Sequence, residues 1–183
     1  MIYHLSLQTA GIIVGLFLVL ISLPGLLRPS PVQDFAKRLP RSRMAGIVLL
    51  TSAALWSFWL LDTVEMGEFS SFRRPLIIAL PIGYVLVLRF VDEFLAVRAL
   101  GILCLLAAEP LLDAAFLRYE TSRLLVTAIA YLLVIAGLLW VTIPYLLRDQ
   151  INWTARTQAR WRFMHGGAVV YGVIVLVLAL TIY

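Results

Sequence analysis

The chain has 183 residues, of which 62% are hydrophobic and 14% are charged. A soluble domain is roughly 45–50% apolar and about 25% charged, and a soluble chain of this length could not hide so much apolar surface from water. The composition therefore excludes a soluble globular protein and predicts an integral membrane protein with a single domain. The net charge is +5, and the basic residues lie in short connections between apolar runs. This position favours anionic lipid headgroups as partners and not nucleic acid.

Six apolar runs approach or exceed the length of about 20 residues that a helix needs to cross the hydrocarbon core. In chain order they are residues 5–27, 44–61, 75–90, 94–117, 124–147 and 164–183. The runs are continuous and do not alternate as the strands of a membrane barrel do, and helices satisfy their own backbone hydrogen bonds in lipid. The sequence therefore predicts an all-α bundle of six transmembrane helices. Because the third run is the shortest, the alternative is five spans and one re-entrant segment.

The connection after the first span is predicted to form an interfacial amphipathic helix over residues 30–40. Pro31 suits the first turn of a helix, and Val32, Phe35 and Leu39 share one helical face. We expect this face to rest on the membrane surface. The alternative is a docking element for a protein partner.

The basic residues predict the orientation of the spans. Eleven of them lie in the first, third and fifth connections or next to these, and four lie on the other side. The positive-inside rule places the eleven in the cytoplasm, with both termini outside and the chain in a cytoplasmic, or inner, membrane. The residues expected to bind anionic headgroups on the cytoplasmic side are Lys37, Arg38, Arg41, Arg43, Arg156, Arg160 and Arg162.

The fourth span carries three charged residues in or near an otherwise apolar helix. Arg98, Glu109 and Asp113 fall on one side of this helix. Each helical residue turns by about 100°, so the step of eleven residues from Arg98 to Glu109 and the step of four residues from Glu109 to Asp113 both return to nearly the same direction. Pro110 predicts a kink beside the carboxylate. A charge at this depth is costly and needs a partner or water, as in ion and proton pathways. The alternative is a structural contact that fixes the position of the helix.

Small residues spaced four apart predict close helix contacts. Gly11 and Gly15 lie in the first span, and Ala168 and Gly172 lie in the sixth. Such pairs let helix backbones approach each other. They fit contacts within the chain and contacts with another subunit equally well.

No nucleotide, zinc-protease or hydrolase motif occurs in the sequence, and one cysteine with two histidines cannot form a Cys/His metal cage. We therefore expect no metal and no cofactor. The sequence leaves enzymatic activity undecided and favours its absence, with a membrane enzyme that acts on lipid as a distant third alternative. Two functions remain: a non-catalytic accessory or structural subunit of a membrane complex, and a small transporter or channel that uses the polar side of the fourth helix. The subunit is the preferred hypothesis.

Overall fold

The long apolar segments form helices because a helix pairs every interior backbone N–H with a carbonyl of its own segment. The structure is a computed structural model that describes residues 3, 5–91 and 93–182. Its α-helices are α1 (Leu7–Leu27), α2 (Pro29–Arg38), α3 (Arg43–Thr63), α4 (Arg73–Phe90), α5 (Leu95–Ala115), α6 (Arg123–Thr142), α7 (Tyr145–Ala155) and α8 (Gln158–Thr181). Short 3₁₀ segments, Leu39–Arg41 and Gly67–Phe72, precede α3 and α4.

Six of these helices are long and apolar enough to cross a membrane, and they include 20 to 24 residues each. At 1.5 Å per residue this is about 30–36 Å, the thickness of the hydrocarbon core. The predicted all-α bundle with six long apolar helices is confirmed. The third span is a continuous helical segment, Gly67–Phe90, once the 3₁₀ turn is included. It is long enough to cross, so the re-entrant alternative is not needed.

Helix α5 lies at the centre of the bundle. It packs closely against α6 and α3 and also contacts α1, while α1 forms a second close pair with α8. Leu111 and Ala114 of α5 belong to a core that also includes Val14 of α1, Val126 of α6 and Val175 of α8. This core joins the two helix pairs. Helix α4 lies at one edge, where it contacts α3.

The predicted small residues of the first and last spans meet each other within the chain. A Cβ placed on Gly15 would lie 2.8 Å from the carbonyl oxygen of Gly172 and 2.5 Å from Leu176 Cγ. A Cβ on Gly172 would lie 3.0 Å from the carbonyl oxygen of Gly15. Gly11 is buried in α1, and Ala168 is half-buried in α8. The Gly15–Gly172 contact thus uses the small-residue spacing for packing within one chain.

A second pair of glycines brings α5 and α6 together. A Cβ on Gly101 would lie 2.9 Å from the carbonyl oxygen of Gly137, and one on Gly137 would lie 2.8 Å from the carbonyl oxygen of Gly101. On the other side of α5, a Cβ on Gly46 of α3 would lie 2.9 Å from the backbone nitrogen of Ala96. We call the half of α5 that contains Arg98 and Gly101 the inner half, and the other half the outer half, after the orientation that the charges predict. The inner half therefore has close backbone contacts with both of its neighbours.

Helix ends differ from the predicted spans in the fifth connection. Residues 124–147 were expected to form one span, but α6 ends at Thr142, just before Pro144, which cannot continue the hydrogen-bond ladder. The chain then forms α7, which contacts α2, α6 and α8, and α8 already begins at Gln158. The basic residues expected in a loop are therefore carried by helices. The predicted sixth span ends at Tyr183, which lies outside the described residues.

The glycine contacts predict opposite effects for two alanine substitutions. In Gly101→Ala the new methyl group meets the backbone of α6, which cannot yield easily, so we expect a loss of about 1–3 kcal/mol in stability. In Gly83→Ala of α4 the methyl group meets nothing within 4 Å, so the better helix propensity of alanine should add about 0.5–1 kcal/mol. Thermal unfolding of both variants in the same detergent measures the difference. Equal shifts in both variants would contradict the close α5–α6 contact.

Candidate functional site

An open groove on the outer half of α5 contains both predicted carboxylates of the fourth span. Its volume is about 390 Å³. Leu112 and Phe116 of α5 and Val134 of α6 contribute apolar walls beside Glu109 and Asp113. The groove is open on the side of the bundle and is not enclosed within it. We call it the carboxylate groove.

The two carboxylates lie at different depths along α5. From the midpoint of the helix, Glu109 is about 6 Å and Asp113 about 12 Å toward the outer end, at 1.5 Å per residue. Glu109 is exposed and Asp113 is half-buried. Within the described part of the chain, no ion pair or side-chain hydrogen bond to either carboxylate is found. A carboxylate at this depth in lipid is costly without a partner.

Arg98 lies apart from the carboxylate groove. It is seven residues from the α5 midpoint toward the inner end, so about 16 Å of helix separates it from Glu109. Its Nε atom is buried and makes no hydrogen bond to any residue that the structure describes. Between Arg98 and the groove, α5 packs closely against α6 at Gly101. The predicted polar side of the helix is thus divided into an outer acidic part and an inner basic part.

An aromatic cluster lies near Glu109 at the outer end of the bundle. The indole Nε1 of Trp56 donates a hydrogen bond of 2.7 Å to the hydroxyl of Tyr3, and the rings of Tyr3 and Trp59 are 5.5 Å apart. Burial raises the pKa of Tyr3, the Trp56 hydrogen bond lowers it, and the nearby Glu109 charge raises it.

Two outer arginines close the helix hairpins. Arg73, at the start of α4, donates a hydrogen bond to the carbonyl oxygen of Val64 at the end of α3. Arg123, at the start of α6, donates to the carbonyl oxygen of Ala115 at the end of α5, at 3.3 Å. The last carbonyls of a helix have no partner within the helix, and a cation there interacts favourably with the helix dipole. These arginines therefore have a structural role at the outer ends of the spans.

A tryptophan closes the inner end of α1. The carbonyl of Gly25 would normally accept from residue 29, which is a proline without an N–H. The indole Nε1 of the buried Trp161 in α8 donates to this carbonyl instead, at 2.9 Å. The His165 ring lies 4.3 Å from the Trp161 ring and covers Gly25, where a Cβ would lie 2.8 Å from it. This contact ties α1 to α8.

The residues predicted to bind lipid headgroups are all exposed. They lie on α2, on the 3₁₀ turn that follows it, at the start of α3 and on the α7–α8 segment: Lys37, Arg38, Arg41, Arg43, Arg156, Arg160 and Arg162. Helix α2 contacts α7, so the two groups lie on the same end of the bundle. The guanidinium carbon of Arg160 is 4.7 Å from the centre of the Trp153 ring. We call these seven residues the inner basic surface.

Within residues 3, 5–91 and 93–182, no group of three or more His, Cys, Asp and Glu side chains is placed to hold a metal ion. The single cysteine, Cys104, is buried in α5. Comparison with known protein families, with curated proteins and with solved structures gave no match.

The proximity of Glu109 to Tyr3 predicts that removing the Glu109 charge changes the pKa of Tyr3 measurably. Glu109→Gln removes a negative charge near the phenol, so phenolate forms more easily and the pKa of Tyr3 should fall. Ultraviolet absorbance of phenolate is followed against pH, and the signal of a Tyr3→Phe variant is subtracted to isolate Tyr3. Glu68→Gln, in the exposed outer connection, is the matched control and should leave the pKa unchanged. An unchanged pKa in Glu109→Gln would contradict a charged Glu109 beside Tyr3.

Proposed function

We propose that this chain is a non-catalytic subunit of a complex in a membrane, and that another chain covers the carboxylate groove. The observation that carries this proposal is the position of Glu109. It is exposed on the flank of a helix that is long enough to span a membrane, and it has no partner within the described chain. Since a charge in hydrocarbon costs a few kcal/mol, a group from outside the described chain is expected to satisfy it.

The shape of the groove supports a contact with a neighbouring protein. Its walls are mostly apolar, with two carboxylates in the same 390 Å³ space, so a helix with apolar side chains and a basic or hydrogen-bonding side chain would fit its chemistry. The opposite face of α5 packs into the bundle core through Leu111 and Ala114. The groove floor is therefore held in place before a partner binds, which lowers the cost of association.

The chain is further inferred to lie in a cytoplasmic-type membrane with the inner basic surface in the cytoplasm. The charge distribution supports this orientation through the positive-inside rule. Two of the four basic residues at the other end, Arg73 and Arg123, bond to helix-end carbonyls. Because these two arginines cap helix ends, their position at that end does not count against the predicted orientation.

Site-specific photo-crosslinking tests the subunit proposal. A photoreactive residue at Leu112 or Val134 of the carboxylate groove should crosslink to another protein chain in the native membrane. At Leu132, which is 59% exposed on a different face of α6, it should crosslink to lipid only. Glu109→Gln should weaken the groove crosslinks, since it removes the charge that the partner satisfies.

Two outcomes would contradict the subunit proposal. One is that the groove positions crosslink only to lipid, as the control position does. The other is that extraction into lipid particles without detergent gives a protein mass of one 20.5 kDa chain. A second copy of this chain as the crosslinked partner would support the proposal in the form of a homo-oligomer.

A small transporter is the second candidate, and one observation favours it. The carboxylate groove is open at the outer half of α5, while the inner half is closed by the Gly46 and Gly101 contacts. A carrier that is closed at one end has a comparable asymmetry, but in this chain the groove opens on the flank of the bundle. Glu109 and Asp113 would then bind a proton or another small cation.

Proton flux in reconstituted vesicles tests the transporter. With a pH-sensitive dye inside the vesicles, an imposed pH gradient should decay faster with the protein than without it. Glu109→Gln and Asp113→Asn should each remove most of this flux, because neither amide can carry a titratable proton. Glu68→Gln should have no effect. Equal flux in the wild type, both groove variants and empty vesicles would exclude the proton transporter and leave the subunit proposal untouched.

A further inference from the structure

The two groups of basic residues that are separate in sequence lie on contacting helices. Lys37 and Arg38 are in the last turn of α2, and Arg156 follows the last residue of α7. Helix α2 contacts α7, and α7 in turn contacts α8. We infer that the inner basic surface is one binding site for anionic phospholipid headgroups. The basic residues near α2 and those of the α7–α8 segment contact the same bound lipid.

The connections keep this surface at the depth of the headgroups. A single residue, Arg28, joins α1 to α2. Ile143 and Pro144 join α6 to α7, and Arg156 and Thr157 join α7 to α8. Because α1, α6 and α8 are each long enough to span the hydrocarbon core, links of one or two residues hold α2 and α7 at its edge. The basic residues cannot extend far from the membrane surface.

Exposed aromatic residues among the charges favour a lipid surface over an acidic protein. Phe35 of α2 is 64% exposed, Trp153 of α7 is 50% exposed and Phe163 of α8 is 80% exposed. Aromatic rings next to basic side chains are typical of the membrane interface, where the rings enter the headgroup region. Trp153 also lies under the Arg160 guanidinium, and this contact limits the freedom of Arg160 before a phosphate binds.

On α2 and α7, the acidic side chains that the structure describes are Asp34 and Asp149, and the basic ones outnumber them. Asp149 on α7 is already paired with Arg148 at 2.9 Å, and Arg148 is not one of the seven. Asp34 on α2 is exposed. Arginine binds phosphate oxygens through two parallel N–H donors, and six of the seven residues are arginines. The positive charges of Lys37, Arg38, Arg156 and Arg160 are therefore available to phosphodiester groups of the inner leaflet.

The experiment measures the affinity of the first bound lipid on the purified full chain in mild detergent by native mass spectrometry. The probes are phosphatidylglycerol and phosphatidylcholine with the same acyl chains. Phosphatidylglycerol should bind more tightly. Lys37→Gln with Arg38→Gln, and separately Arg156→Gln with Arg160→Gln, should each weaken its binding by roughly 25-fold, from about fivefold for each neutralised residue. Phosphatidylcholine binding should not change.

Two controls accompany these pairs. Arg74→Gln with Arg118→Gln removes two exposed arginines at the opposite end and should leave phosphatidylglycerol binding unchanged. Arg156→Lys with Arg160→Lys keeps both charges and should retain most of the binding. If the glutamine variants do not fold, salt titration of the unmodified chain replaces them. Phosphatidylglycerol affinity should then fall steeply with ionic strength while phosphatidylcholine affinity does not.

Three results would overturn the inference. The first is equal affinity for the two lipids. The second is loss of phosphatidylglycerol binding in the opposite-end control to the same extent. The third is near-normal affinity for the first lipid in each pair variant alone with loss only when the pairs are combined, since that pattern requires two separate sites. None of these results bears on the carboxylate groove, so this inference and the proposed function can fail independently.

Discussion

Close backbone contact at small residues is the constraint on which the rest of this structure depends. Lipid does not drive apolar helices together, so their association relies on van der Waals packing over short distances. Gly15 meets Gly172 between α1 and α8, and Gly101 meets Gly137 between α5 and α6. In each contact, a Cβ on the glycine of one helix would lie within 3.0 Å of a carbonyl oxygen of the other helix, so a larger residue does not fit. The core around Leu111 then joins these two pairs into one bundle.

The ends of the spans follow a related constraint on backbone carbonyls. In lipid or at its edge, a carbonyl without a donor is costly. Arg73 and Arg123 satisfy carbonyls at the outer ends of α3 and α5, and Trp161 satisfies Gly25 at the inner end of α1. In each case the donor comes from another helix, so capping also fixes how neighbouring helices are placed.

Much of the fold could be predicted from the sequence because composition and run length determine membrane helices directly. Six apolar runs gave six long helices, and the Gly11–Gly15 spacing predicted a close helix contact. The Gly101–Gly137 contact was missed because neither glycine has a second glycine or alanine at the spacing of four that was sought. Helix α7 was missed because its first three residues continue the apolar run past Pro144 and its remaining polar residues resemble a connection. Such features depend on packing partners, which the spacing of one segment does not specify.

The candidate site could be predicted only in part, for a similar reason. Helical periodicity places Glu109 and Asp113 on one side of α5, and both line the same groove. Periodicity also groups Arg98 with them, but it carries no information about what α5 packs against along its length. The close contact at Gly101 lies between Arg98 and the groove and separates the two.

This separation changes what the carboxylates can do within one chain. A polar path through the membrane along α5 would have to pass the level of Gly46, Gly101 and Gly137, where backbones of neighbouring helices are in contact. Water and ions need more space than such contacts leave. The charge on Glu109 must therefore be balanced from the outer side or from the flank of the bundle. A neighbouring chain supplies a balancing group without any movement of α5, whereas transport requires the glycine contacts to open. The subunit is thus the function that demands less change of the structure.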